Sequence, residues 1–455
     1  MNDANAAGDA MITEQERDEY LHSDIINFMF GPEGEPEWGF SATCNALYKI
    51  DLQNATAEYV SSVPWERNIS RLYYFPVKIK NKLFLSPILS RSFAIYNIDS
   101  GEWTKIPIPA DATPAKNTHP AFGAGVCCGD YLLIIPGMRG VFAKYDIESG
   151  KLSFYDYWFN KFKNNIKDAD IALLHGSYSI DGKVYFTSPQ CNVITELIPD
   201  DMSFKLREVG RKSNKYCGIA HATNAFWLIK RPASAENDLC AELVEWHPDT
   251  RKCLEYTNLP VTRGEGRKGR AFSQIITNYV DVYLFPWQSN HIIKFDTTTK
   301  NGEAFKPKPE WDYFESKGKY YTWARNIAMP WVFQEISALY RQKKESPENP
   351  IVYIQTPTDY SLVKLNLSTG EYTKKKWRVY GAEHLLNKIE STGSAPFAPH
   401  RDTELYNLDY FLSELVSGAL PPVDIEKRDY FCSLQGNADR AAGKKIYEYV
   451  KKLVL

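Results

Sequence analysis

Tyr131–Lys151, YLLIIPGMRGVFAKYDIESGK, is the stretch from which the fold is read. An apolar strand, Tyr131–Ile135, stops at Pro136. A short basic loop, Gly137–Gly140, leads to a second strand, Val141–Tyr145, and a tight turn, Asp146–Gly150. Aromatic and β-branched residues suit a pleated surface, whereas Pro, Gly and Asp interrupt it. The same order recurs along the chain. Strand-ending prolines stand at Pro32, Pro87, Pro136, Pro189, Pro232, Pro286 and Pro357, each followed by an apolar strand and a turn. Those turns begin near Asp51, Asn97, Asp146, Ile198, His247, Asp296 and Asn366, about 46–52 residues apart with a last step of about 70. A period of that size carrying only strand signals indicates one four-stranded sheet per repeat, arranged as propeller blades. Each sheet is apolar on both faces and needs a neighbour on each side, which closure into a ring supplies. The sequence therefore predicts an all-β fold, a seven-bladed β-propeller of four-stranded blades with a C-terminal α-helical extension.

Three regions follow: a polar segment with a short helix over 1–24, the propeller over 25–380, and the helical extension over 381–455. The first repeat starts with Ile25–Phe30 and reads as short of an innermost strand. That strand would come from Tyr320 onward, from beyond Tyr380 or from the N-terminal segment. Helical spacing predicts helices at Thr13–Leu21, at Trp331–Lys344 (an insertion near 330–345), and at Glu383–Ile389, Leu405–Val416 and Arg440–Leu453. The last of these puts Ile446, Tyr449, Val450 and Leu453 on one face, which suits docking on the propeller or contact with a partner.

In the second repeat an aromatic, an Asn, a Ser-Gly turn and an aromatic on the last strand (Tyr96, Asn97, Ser100, Gly101, Trp103) resemble Kelch-type propeller repeats. The resemblance covers roughly residues 25–380 and departs from the Kelch pattern in lacking a double glycine, with LLIIPG and VYFTSP instead. It implies a divergent, Kelch-like bacterial propeller. The C-terminal run AGKKIYEYVKK resembles the helical ends of some bacterial surface-polysaccharide biosynthesis proteins, which implies a role in that assembly.

The 455 residues carry a net charge of −2, which argues against a general nucleic-acid binder. Eight scattered cysteines form no CxxC pair, and Cys127 and Cys128 read as packed thiols on a buried strand. The opening MNDANAAGDAMITEQERDEY lacks the basic flank and apolar core of a signal peptide, and no apolar run is long enough to span a bilayer. These features place the chain in the cytoplasm as an expectation.

Loops after the strand-ending prolines and the connections between blades share one face, the top, where many loops converge. Arg71, Arg91, Arg139, Arg231, Arg270 and Arg325 fall there, with Arg211, Lys212 and Lys215 and with Gln190, Trp287 and Tyr360. Guanidinium forks bind planar anions in two places at once, and aromatic platforms pack on sugar faces. Against this, exposed loops commonly carry solvated cations. His119, His175 and His221 fall near the starts of consecutive innermost strands, and with Tyr216 they are the candidate acid–base residues. Their unequal offsets from the next proline set them at different depths, so neither a metal nor a cofactor is expected. The reading is a binding module for an anionic sugar or sugar-phosphate ligand, or for a protein partner. One alternative is a channel-sited lyase, epimerase or hydrolase using His and Tyr; another is a protein–protein interaction scaffold.

Overall fold

The computed structural model of the chain describes residues 28–30, 37–41, 44–68, 72–74, 76–88, 90–109, 122–128, 130–136, 140–166, 174–231, 242–257, 259–260, 271–278, 280–286, 291–308, 351–356, 361–382 and 385. Almost all of these belong to one compact unit, Ile26–Tyr380.

That unit is built of seven sheets in chain order. The first holds β1 (Phe28–Phe30), β2 (Glu37–Ser41), β3 (Leu47–Asp51) and β4 (Thr56–Ser61); the second holds β5 (Val77–Ile79), β6 (Lys82–Leu85), β7 (Ser92–Asn97) and β8 (Trp103–Pro107). The third runs β9 (Phe122–Cys128), β10 (Tyr131–Pro136), β11 (Phe142–Asp146) and β12 (Leu152–Tyr155). The fourth runs β13 (His175–Ile180), β14 (Lys183–Thr187), β15 (Val193–Ile198) and β16 (Ser203–Glu208). The fifth has β17 (Tyr216–Ala222), β18 (Ala225–Lys230), β19 (Leu243–His247) and β20 (Lys252–Tyr256); the sixth has β21 (Phe272–Thr277), β22 (Asp281–Pro286), β23 (Ile293–Asp296) and β24 (Asn301–Ala304). The seventh shows β25 (Ile351–Thr356), β26 (Ser361–Asn366) and β27 (Tyr372–Lys376). Spatial order follows chain order inside each sheet, with antiparallel neighbours, so the sheets are the blades of a seven-bladed propeller.

The sequence period has a backbone cause. In each sheet the strand before the turn ends at the turn residue read from the sequence. The residue four further on, Ala55, Gly101, Gly150, Met202, Arg251, Lys300 or Gly370, has a positive φ of 53–80° in every blade. Only three of these are the glycines that tolerate this region freely. Ala55 and Lys300 are held by the turn itself. Asp51 Oδ1 accepts from the amides of Gln53 (2.8 Å) and Asn54 (3.1 Å), and Asp296 Oδ1 accepts from those of Thr298 (2.7 Å) and Thr299 (3.0 Å). Such side-chain bonds to the backbone two and three residues on fix the turn locally.

Apolar residues on both faces of each sheet form shared clusters between successive blades. Phe40 and Tyr73 meet Leu83 and Ala94, Phe93 meets Phe122, and Trp227 meets Phe295. Phe93 and Phe122 lie 5.0 Å apart between ring centroids, and Trp227 and Phe295 lie 5.3 Å apart. Burial of such side chains contributes about 1.5–3 kcal/mol each and is what holds neighbouring blades together.

Four expectations need correction or completion. The strand equivalent to those that end at a proline is, in the first blade, β2, which ends at Ser41 with no proline; Ser41 Oγ accepts the Cys44 amide (3.2 Å) and turns the chain there. Pro32 lies outside the described residues, ahead of β2. The first blade therefore has its own innermost strand, β1, because Phe28–Phe30 pairs with Gly39–Ser41. In the third blade the fourth strand, read from the sequence as KLSFYDY (Lys151–Tyr157), stops at Tyr155, and a helix, α1 (Tyr157–Phe162), follows. Its Trp158 and Phe162 stack at 4.5 Å and bury one helical face against the third and fourth blades, which a strand period would not allow. Finally, β28 (Arg378–Tyr380) joins the outer edge of the first blade, parallel to β4, and ties the end of the ring to its beginning. The helices expected at Thr13–Leu21, Trp331–Lys344, Leu405–Val416 and Arg440–Leu453 lie outside the described residues, as does all of Glu383–Ile389 except Leu385. Among the described residues no helix is long and apolar enough to cross a membrane.

Candidate functional site at the top of the fourth and fifth blades

In an antiparallel meander, loops between second and third strands emerge at the same end as the connections to the next blade. Two of these top loops are described in enough detail to build a site. In the second blade Ser90 Oγ lies 2.7 Å from Glu66 Oε1 and 2.9 Å from the Tyr73 hydroxyl, and it accepts the Ser92 amide (3.1 Å). Trp65 Nε1 donates to Ser92 Oγ (3.1 Å), and burial pushes the Tyr73 hydroxyl up to about 12. A fully bonded buried network of this kind is rigid. It fixes the loop on which Arg91 stands exposed.

At the junction of the fourth and fifth blades the backbone is stitched across the gap. The Tyr216 amide donates to Ser188 O (3.0 Å), the Arg231 amide to Lys215 O (2.8 Å), and the Asn214 amide to Arg211 O (2.9 Å). Gln190 is held by its amide on Ser188 Oγ (3.2 Å). These bonds tie the strand ends and the connection at the top of the two blades to one another. Lys230 is neutralised inside the protein by Glu242 and by Glu255 (3.2 Å). Burial alone would lower the Lys230 ammonium, but the bonds to Glu242 and Glu255 outweigh it and hold it raised. The Glu255 carboxyl is held below its usual range, because bonds from Asn214 and Lys230 overcome its burial.

Of the expected ligand residues, Gln190 follows the second strand of the fourth blade, Arg231 follows that of the fifth, and Arg91 stands on the second blade. Arg71, Arg139, Arg270, Trp287, Arg325 and Tyr360 lie outside the described residues. The acid–base candidates are not brought together. Tyr216 is fully buried; burial raises its hydroxyl, which donates to Val209 O (3.0 Å) and accepts from Asn214 Nδ2 (3.2 Å). It is a core tyrosine rather than an exposed acid. Its register explains this. Opposite the ends of successive second strands stand Tyr73 (with Pro87), Phe122 (with Pro136), His175 (with Thr187), Tyr216 (with Lys230) and Phe272 (with Pro286). His175 thus pairs with Thr187 at the top of β13, at the register of these aromatics. His221 pairs with Phe226 one residue from the bottom hairpin, about 13 Å lower along a strand rising about 3.3 Å per residue. Burial lowers the His221 imidazole despite nearby Asp181, and its ring packs on Phe226 at 5.0 Å. His119 lies outside the described residues. Among the described residues no three of His, Cys, Asp and Glu come together as a metal site.

The sequence reading missed a second polar register. Two residues before the turn, third strands carry buried charges: Lys144, Glu196 and Glu245. Lys144 Nζ donates to Pro199 O (2.7 Å) and Asp200 O (2.8 Å) of the next blade and lies 3.5 Å from the Tyr131 ring centroid. Glu196 pairs with Arg207 (2.9 Å) and Lys183 (3.1 Å). Glu245 accepts from Tyr256 (2.6 Å) and Lys300 (2.9 Å) and lies 2.9 Å from His247 Nε2. Every one of these charges is matched, as buried charges must be. They fasten strands and blades rather than form an open site.

No family model and no curated protein matches the chain. Among solved structures it is similar to the extracellular domain of BT4673 from B. thetaiotaomicron (14% identity, 63% of this chain and 33% of that one, TM-score 0.40). It is also similar to a catalytically inactive virginiamycin B lyase from Staphylococcus aureus (12% identity, 67% and 85%, TM-score 0.39). A third similarity is to BamB from Moraxella catarrhalis (10% identity, 62% and 76%, TM-score 0.41). The chain thus spans about a third of the BT4673 domain, and likenesses this distant carry no argument about ligand or partner.

Proposed function

We propose that this propeller is a binding module whose top face, at the junction of the fourth and fifth blades, recognises an anionic, carbohydrate-like ligand, free or carried by a protein partner. The observation that carries the reading is the bond from the Arg231 amide to Lys215 O (2.8 Å), which holds two cationic residues on neighbouring strand ends. Arg231 offers a planar fork for a carboxylate or phosphate and Lys215 a point charge. The blades hold both on strand ends, so little ordering is needed on binding. Kelch kinship belongs to the same proposal. It is supported by Asn97 Oδ1 accepting the amides of Asp99 (3.0 Å) and Ser100 (3.2 Å), followed by Gly101 at φ 72°. A cytoplasmic location belongs to the proposal as well and rests on the opening segment, which lacks the basic flank and apolar core of a signal peptide.

The test is thermal unfolding of the full chain with inorganic phosphate, glucuronate and glucose 1-phosphate, repeated on Lys215→Glu/Arg231→Glu. A ligand that binds only the folded state raises Tm. The expected result is a rise with glucose 1-phosphate or glucuronate that the double variant loses. No rise with any of the three, or a rise that survives the double substitution, overturns the proposal.

A further inference from the structure

The chain holds a single Asn-Gly pair, Asn301-Gly302, and it opens β24. In each blade the residue after the bottom turn is Thr56, Glu102, Lys151, Ser203, Lys252, Asn301 or Glu371. The next residue is Ala57, Trp103, Leu152, Phe204, Cys253, Gly302 or Tyr372, so the sixth blade alone has no side chain there. Packing gives the reason. A Cβ at Gly302 would lie 2.9 Å from Cδ2 of buried Leu259, so a side chain does not fit without moving that leucine. The glycine required by Leu259 thus follows an exposed asparagine.

The backbone leaves the Gly302 nitrogen open. At this register the turn-starting amide donates across the hairpin: Asn97 to Glu102 O, Asp146 to Lys151 O and Asn366 to Glu371 O, each 2.9 Å. Asp296 pairs with Asn301 in the same way, so the next pair, Phe295 with Gly302, is a non-hydrogen-bonded one. The Gly302 N–H therefore points away from β23, to the open side of β24, which is the outermost strand of its sheet. Asn301 is the first residue of that short edge strand, where local opening is easiest, and glycine adds the least hindrance to rotation.

We infer that Asn301 is a self-modification site, at which the Gly302 backbone nitrogen closes on the asparagine side chain and converts it to aspartate and isoaspartate. The nitrogen gives up its proton and bonds to Asn301 Cγ; the Cγ–Nδ2 bond breaks, and Nδ2 leaves as ammonia carrying that proton. Water then opens the cyclic imide. Addition at Cγ gives aspartate, and addition at the main-chain carbonyl gives isoaspartate; no oxidant, reductant or cofactor is consumed. The product places a carboxylate next to Lys300. Lys300 Nζ bonds Glu245 Oε2 (2.9 Å) and lies 4.7 Å from the Trp227 ring centroid, so the modification falls at a tie between the fifth and sixth blades. The inference is independent of the binding reading above.

The experiment ages the full chain in mildly alkaline buffer, native and in urea, beside Asn301→Gln. Peptide mass analysis and labelling by an isoaspartyl methyltransferase follow the conversion site by site. Asn54 is the internal reference: it is exposed at the equivalent turn of the first blade, but Ala55 follows it and its Nδ2 donates to Asp51 Oδ2 (2.6 Å). The native chain should gain the mass of an amide-to-acid exchange and the isoaspartate label at Asn301, several-fold ahead of Asn54 and at a rate close to that in urea. The label should vanish from that peptide in Asn301→Gln. Conversion in urea but not in the native chain overturns the inference, since the fold would then protect the pair. Conversion of Asn54 as fast as Asn301, or a label that persists in Asn301→Gln, overturns it as well.

Discussion

Replacing Trp377 with Ala tests how the ring is closed. Trp377 is fully buried between the end of β27 and β28, beside two bonds that reach the first blade: Lys375 Nζ to Gln53 O (2.7 Å) and the Arg378 amide to Ala55 O (3.0 Å). Loss of a buried Trp side chain costs about 3–5 kcal/mol when the site does not collapse. The exposed lysine contact adds little to that. With an unfolding entropy of about 2.1 cal/mol/K per residue and ~350 residues in the unit, 1 kcal/mol corresponds to about 1.3 °C. The expected loss in Tm is therefore about 4–7 °C. Hydrogen exchange supplies the discriminating readout. If Trp377 anchors β28, amides of Thr56–Ser61 exchange faster in the variant while those of Leu243–His247 in the fifth blade stay protected. A fall in Tm with unchanged exchange in Thr56–Ser61 would refute the reasoning, since Trp377 would then be a local core residue and not the anchor of the closing strand.

Lys144→Met leaves Pro199 O and Asp200 O without their buried donor and should cost about 2–3 kcal/mol, read as a lower urea midpoint at unchanged slope. Arg251→Gly removes a side chain from a residue at φ 58° and should stabilise by about 0.5–1 kcal/mol in the same titration, whereas Gly101→Ala, at φ 72°, should destabilise by about 1 kcal/mol. The carboxyls of Glu196 and Glu245 are raised by burial, but the bonds from Arg207 and Lys183 to the first and from Tyr256, Lys300 and His247 to the second outweigh it, leaving both lowered. A lowered folded-state value gives stability that is present above the unfolded value, about 4.5, and lost as pH falls through the folded one. Tm should therefore drop steadily below about pH 4.5, and Glu245→Gln should flatten that drop; an unchanged pH profile in this variant would show that Glu245 is not part of it.

The turns were legible in the sequence because they are local. Asp51, Asn97, Asp146, Asp296 and Asn366 each fold the next few residues onto their own side chain, so their spacing survives divergence elsewhere. Pro32 misled because a proline and a serine can both stop a strand, and in the first blade Ser41 does so. The closing strand was not legible. Arg378–Tyr380 carries no pattern that names β4, more than 300 residues earlier, as its partner, and parallel pairing is a long-range event. Lys144, Glu196 and Glu245 escaped notice because a charge inside an apolar strand looks like an outward-facing residue until its partner in another strand or blade is known. Tyr216 looked chemical because its side-chain type suggested acid–base work, when alignment with Phe122 and Phe272 gives a packing position.

Repetition separates structure from function in this ring. A side chain that meets the same fate at the same register in several blades serves the blade, as the aromatic opposite each second-strand end does. Function is to be sought where the register persists but the bonding departs. Tyr73 and Tyr216 are the same aromatic at the same height, yet one hydroxyl goes to a carboxylate and the other to a backbone carbonyl. That difference marks the junction of the fourth and fifth blades as a place where the repeat keeps its register and changes its bonding, which packing shared by all the blades does not require.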